Sequence, residues 1–160
     1  MAYKIKLYLE TTVFNFYFAE KDGIKRQYTH MLFKAIENGK FDVFVSEYVI
    51  GEILRDTSIK SKKMRALIDK YVKNTLYVDQ RTLNLADLYI KNGIIPLKYL
   101  NDARHIALAA VNKLDFIVTF NMGHIVKPKT MVGTGFVNLL YGYRQIGLCT
   151  PTEVIEYGQI

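Results

Sequence analysis

The sequence is poor in residues that staple, break or bury a chain in lipid. Its single cysteine, Cys149, cannot close an internal disulfide, and without a cysteine pair there is no thiolate signature of zinc. Only three prolines occur in 160 residues, glycine is scattered, and no repeat or low-complexity stretch interrupts the chain. A linker and a second domain are therefore not expected, and residues 1–160 read as one domain. No window approaches the roughly 18 uninterrupted apolar residues of a membrane span. The apolar run Ile5–Leu9 is broken by Lys6 and followed by Glu10, which is too short for the core of a signal peptide. These absences lead to the expectation of a cytoplasmic protein with no membrane partner.

Half of the residues are hydrophobic and 13% are aromatic, too apolar for a disordered chain. A domain of this size buries roughly two-thirds of the surface its unfolded chain exposes, enough to fold without staples. The net charge of +7 favours a polyanionic partner, whose binding should weaken steeply with salt. The basic residues cluster at Lys60, Lys62, Lys63 and Arg65, and again at Lys127 and Lys129. Such clusters are either solvated faces or an electrostatic track for nucleic acid.

Four short β-rich runs stand out, at residues 4–9, 42–45, 115–120 and 146–149, with a weaker one at 75–78. Several carry adjacent apolar residues, which suits strands covered on both faces in a parallel sheet. Helical patterns fill the gaps. Residues 25–38 align Tyr28, Met31, Leu32, Ala35 and Ile36, with Gly39 as stop. Ser46 can cap a helix running to about Arg55. Further helices are expected at 59–73, 81–92 before Gly93, 132–141 and 152–157. The cleanest 3.6-residue stripe is Ala103, Ile106, Ala107, Ala110, Val111 and Leu114. Alternating strands and helices predict an α/β domain, a three-layer α/β/α sandwich around a central parallel sheet.

Ligands in such sheets bind beyond the carboxyl ends of the strands, a rule that sorts the acids. Asp42 and Asp115 precede their strands and are expected to face solvent. Glu10 follows the first strand, Glu52 lies in the helix after the second, and Asp102 opens the cleanest helix. Asn121, two residues after Thr119, ends the run at 115–120. Together they offer hard oxygen donors of the kind Mg²⁺ and Mn²⁺ prefer. Each also has a plainer reading. Glu10 could be an exposed strand end, Asp102 could complement its helix dipole, and Asn121 could form a turn. Glu52 lies opposite the stripe Val49, Ile50, Ile53 and Leu54, where periodicity alone makes it solvated. His105, one turn after Asp102, either reaches a phosphate or is a surface histidine, and it has no metal-ligand spacing with His30 or His124.

Four motifs resemble the PIN domain family, in particular its small prokaryotic VapC-type members, the toxins of toxin–antitoxin pairs. They are Leu7-Tyr8-Leu9-Glu10-Thr11-Thr12-Val13-Phe14-Asn15, Val45-Ser46-Glu47-Tyr48-Val49-Ile50-Gly51-Glu52-Ile53, Asn101-Asp102-Ala103-Arg104-His105-Ile106-Ala107-Leu108-Ala109 and Phe116-Ile117-Val118-Thr119-Phe120-Asn121-Met122-Gly123-His124. The third is the most specific, and the likeness spans residues 4–155. It implies a PIN-like fold and a ribonuclease dependent on Mg²⁺ or Mn²⁺. By the resemblance Glu10, Glu52, Asp102 and Asn121 are the catalytic and metal-binding set, with Thr119, Ser46 and His105 in support and Ser46 chiefly a helix cap. It also implies single-stranded RNA as substrate, a small antitoxin as partner, and a homodimer, for which Phe14, Phe16 and Tyr17 are candidate contacts unless they pack in the core. Two positions depart from the family, which usually has aspartate where this chain has Glu10 and often where it has Asn121. Three formal negative charges remain, suited to one cation more than two. The alternative is a degenerate PIN-like module that binds RNA or a protein without cutting. A nucleotide-binding domain is disfavoured, because no phosphate loop is present and Gly133-Thr134-Gly135 is only a fragment of a glycine motif. A metal-free structural module is a further rival.

Overall fold

The computed structural model describes residues 2–121, 123 and 125–157; Met122 and His124, at the end of the fourth motif, lie outside the described residues. Five strands form the sheet: β1 (Ile5–Leu9), β2 (Phe41–Ser46), β3 (Asn74–Leu76), β4 (Phe116–Val118) and β5 (Gly147–Cys149). All four pairings are parallel and the order is β3-β2-β1-β4-β5. β1 is central, and its Leu7, Tyr8 and Leu9 are fully buried, as expected for a strand covered on both faces. The strand order reverses at β1 and β4, so a crevice opens between their carboxyl ends.

The helices are α1 (Thr11–Tyr17), α2 (Gly23–Glu37), α3 (Glu47–Arg55), α4 (Ile59–Tyr71), α5 (Gln80–Lys91), α6 (Leu100–Val111), α7 (Pro128–Leu140) and α8 (Pro151–Tyr157), with a 3-10 turn at Leu97–Tyr99. Contacts join α2 to α1, α4 and α8 in one layer, and α5 to α6 and α7 in the other. Their starts are written locally. Asp22, Ser46, Ser58 and Asp79 each cap a helix by accepting a backbone N–H from its first turn. Gly39 and Gly93 follow α2 and α5 with φ of 74° and 68°, the left-handed conformation that ends a helix at low cost in glycine. α7 begins four residues before its expected start because Pro128 suits a first helical turn. The glycine fragment at 133–135 lies inside that helix, where Gly133 lets Ile94 approach closely. Among the described residues no helix is long and apolar enough to cross a membrane.

Two expectations need correcting. Asp115 does not simply face solvent. Its carboxylate accepts from Tyr3 Oη and from the Lys6 backbone N–H at 2.8 Å, and pairs with Arg144, tying the start of β4 to β1 and the approach to β5. Phe14 is fully buried and stacks edge-on against Phe33, while Phe16 packs on Phe120 and Tyr17 on His30. Phe14 is thus a core residue, while Phe16 and Tyr17 are partly buried against neighbours within the chain.

Cys149 is buried at the end of β5, and burial pushes its thiol up to about 12. The unfolded chain releases that proton near the ordinary thiol value of about 8.5. This contribution to stability therefore declines as the pH rises above that value. Cys149 should resist alkylation at pH 8 in the native protein and react promptly in denaturant, a difference read by mass spectrometry.

Candidate active site

The crevice is built first around Glu10. It leaves β1 as the cap of α1, with its own N–H donating to Val118 O at 3.1 Å, so the residue is pinned between β1 and β4. Only 7% of Glu10 is exposed. Its Oε2 accepts from Thr12 N at 2.9 Å, Thr12 Oγ1 at 2.5 Å and Thr119 Oγ1 at 2.9 Å. Three donors on one oxygen fix the carboxylate's orientation. Among the described residues no donor reaches Oε1. The cap therefore uses one carboxylate oxygen.

Thr12 and Thr119 knit the two strand ends together. Thr12 Oγ1 also accepts from Phe120 N at 2.9 Å, and Thr119 Oγ1 accepts from Asn121 N at 2.9 Å. Thr119, fully buried, thus bridges Glu10 to the backbone of Asn121. Among the described residues the Asn121 side-chain amide has no hydrogen bond.

Glu52 arrives from α3. Its Oε2 accepts from Thr11 Oγ1 at 2.7 Å, and its Oε1 stands 3.6 Å from His105 Nε2. The imidazole donor beside it is the main influence holding the Glu52 carboxyl below its usual range; the Thr11 hydroxyl adds to this and partial burial opposes it. Glu52 is therefore half-buried, not solvated as its own helix suggests. Glu10 and Glu52 line one cleft of about 320 Å³ with Thr11, Thr12, Asn15, Asp56 and Lys60.

His105 is neither a surface residue nor placed to reach out to a phosphate: it is 2% exposed. Its Nδ1 lies 2.5 Å from Tyr8 Oη, which in turn lies 2.7 Å from Ser46 Oγ. Ser46 does cap α3, accepting from Val49 N at 3.3 Å, and so holds two roles. Asp102, in the first turn of α6, sits one turn before His105 and on the same side of the helix. α6 leads into β4 and so runs back along the sheet, which brings its first turn to the carboxyl-end rim. Asp102 is partly buried and does not line the cleft of Glu10 and Glu52.

Among the described residues no three His, Cys, Asp or Glu side chains stand as a ready metal cage. The donor set still suits one hydrated cation of the Mg²⁺ class, which keeps several waters and needs only one or two carboxylates. Glu10 Oε1 is such a donor. Tyr8 and Thr12 were not singled out in the sequence reading. Tyr8 reads there as one more core residue of β1, and only its hydroxyl hints at a partner.

No family model matches the chain, and no curated protein matches it. Among solved structures it is similar to a chain in the crystal structure of VapBC2 from Rickettsia felis bound to a DNA fragment from their promoter. The TM-score is 0.56 with 14% identity, covering 91% of this chain and 98% of that one. At that identity the likeness is one of fold.

Proposed function

We propose that this chain is a PIN-type ribonuclease that cuts single-stranded RNA with the help of Mg²⁺ or Mn²⁺, and that it acts as the toxin of a toxin–antitoxin pair. The observation that carries the reading is the pairing of Glu10 and Glu52 in one cleft lined from α1, α3 and α4, with Glu10 Oε1 left without a donor among the described residues. When bound there, the cation would acidify water and neutralise charge on the phosphodiester. Glu10 would hold it, and Asp102, outside the cleft that Glu10 and Glu52 line, would reach it directly or through water from the first turn of α6. Glu52 orients the attacking water. Asn121 contributes a neutral oxygen to the hydration shell, and Thr119 keeps Glu10 in place. Lys60, exposed beside the two glutamates, supplies positive charge for the RNA backbone, continuous with Lys62 and Lys63 on α4.

The test is incubation of the purified protein with mixed single-stranded RNA, with Mn²⁺ or with chelator, beside an Asp102→Asn variant. Cleavage should require the metal and fall by about 10- to 100-fold in the variant, with the thermal midpoint unchanged. Equal cleavage by the variant and wild type would remove Asp102 from the set. The degenerate reading is motivated by Glu10 and Asn121, the two departures from the family's acids. In that case the protein would retain RNA in a binding assay and release no fragments.

The fold neighbour's description as VapBC2 bound to promoter DNA supports an antitoxin partner, and the acidic cleft is the surface we propose that partner covers. For the homodimer the supporting face is α7. Val132, Phe136, Leu139 and Leu140 recur at helical spacing and are each 63% to 70% exposed. Contiguous apolar surface of this kind marks an interaction site. A second copy should cover this stripe, and Phe136→Asp should convert a sedimenting dimer to monomer. A wild-type monomer at high concentration would refute this assignment.

A further inference from the structure

Three buried polar groups lie behind Glu52 and none touches the cleft: Ser46, Tyr8 and His105 are each 2% exposed or less. They come from three separate elements, the end of β2, the central strand β1 and helix α6. Burying such groups is costly unless every donor and acceptor is matched. One matching that satisfies all three groups runs from Ser46 to His105. Ser46 Oγ accepts from Val49 N, leaving its own hydrogen for Tyr8 Oη at 2.7 Å. The Tyr8 hydroxyl then gives its single hydrogen to His105 Nδ1 at 2.5 Å. With Nδ1 accepting, a neutral imidazole carries its proton on Nε2, the nitrogen 3.6 Å from Glu52 Oε1.

We propose that Ser46, Tyr8 and His105 form a buried chain that fixes the imidazole with Nε2–H aimed at Glu52, making His105 the positioning residue for that carboxylate. Thr11 Oγ1 holds the other Glu52 oxygen from the opposite side at 2.7 Å. The carboxylate is thereby anchored by the Thr11 hydroxyl on one oxygen and faced by the imidazole on the other. The 3.6 Å separation is longer than a closed hydrogen bond and leaves room to tighten when the cleft fills. The Tyr8 and Tyr48 rings flank the imidazole at 5.6 and 5.9 Å and keep water from competing for it. The kinetic part of this inference rests on the ribonuclease reading; the wiring does not.

The experiment uses the full chain in two measurements. Long-range ¹H–¹⁵N spectra of the histidine rings report the tautomer, and steady-state RNA cleavage with Mn²⁺ reports kcat and KM. In the wild type His105 should show a protonated Nε2 and an accepting Nδ1, and Tyr8→Phe should abolish that single tautomer. His105→Asn keeps a partner for Tyr8 and loses the donor to Glu52, so kcat should fall roughly 10- to 100-fold while KM stays within about twofold. His105→Gln places an amide nitrogen where Nε2 was and should recover most of kcat. A merely structural role predicts equal losses in both variants, in step with stability. An Nδ1-protonated ring in the wild type, or equal kcat in the Asn and Gln variants, would overturn the proposal. A wild type that shows the expected tautomer but never cuts RNA would instead sink the ribonuclease reading and leave the wiring standing.

Discussion

Glu10→Gln should lower metal-dependent RNA cleavage by about 100- to 1000-fold, or roughly 3–4 kcal/mol of transition-state stabilisation, while leaving the fold intact. The two halves of this expectation come from different oxygens of the same side chain. Oε2 is structural: it caps α1 through Thr12 and receives Thr119 from the end of β4. Glutamine retains one carbonyl oxygen to accept those bonds. What it removes is the negative charge on Oε1, the atom left without a donor among the described residues. Cleavage and Mn²⁺ affinity should thus drop together, while the urea midpoint moves little. If the variant cut RNA at the wild-type rate, Glu10 would be a helix cap and nothing more. If it unfolded, the cap would depend on a full carboxylate, and Asp102→Asn would become the cleaner probe of the site.

Ile106→Ala should cost about 2–5 kcal/mol of stability, the usual range for emptying a fully buried aliphatic position. In a chain of 160 residues that corresponds to a fall in Tm of roughly 5–20 °C. Ile106 lies on the buried stripe of α6, the helix that packs against α5 and β4. The same helix carries His105 and Asp102, so its seating sets where both reach the rim. Below its melting transition the variant should keep measurable cleavage, because no donor at the site is lost. A loss under 1 kcal/mol by chemical denaturation would mean that α6 is not docked as described. Cleavage abolished at full occupancy of the folded state would mean that sub-ångström seating of α6 controls the chemistry.

The acids at the rim show how far local patterns reach. That Glu10 ends a strand and Asp102 opens a helix follows from neighbours in the chain. The rule that parallel sheets present ligands at their carboxyl ends then selects both over Asp42 and Asp115. Glu52 shows the opposite case. Its own helix turns it away from the apolar stripe, and only Thr11 from α1 and His105 from α6 give it partners. Periodicity reports which side of one helix is buried by the sheet and is blind to what a third element brings to the other side. His105 was read as outward for the same reason. Tyr8 sits between Leu7 and Leu9, where the hydroxyl is invisible to a hydrophobic pattern. Asp115 was misjudged because Tyr3 and Arg144, which cover it, lie 112 and 29 residues away along the chain.

The sequence by itself determined the order and kind of the elements, because capping residues, terminal glycines and apolar spacing act within a few residues of one another. It also pointed to strands covered on both faces in a parallel sheet, which Leu7, Tyr8 and Leu9 of β1 are. Only the tertiary structure decided the order β3-β2-β1-β4-β5, the convergence of Glu10 and Glu52 on one cleft, and the chain from Ser46 through Tyr8 and His105 behind it. Those are contacts between residues 38 to 97 positions apart in the network alone. Chain closure and the packing of both helical layers select them, and no local propensity encodes them.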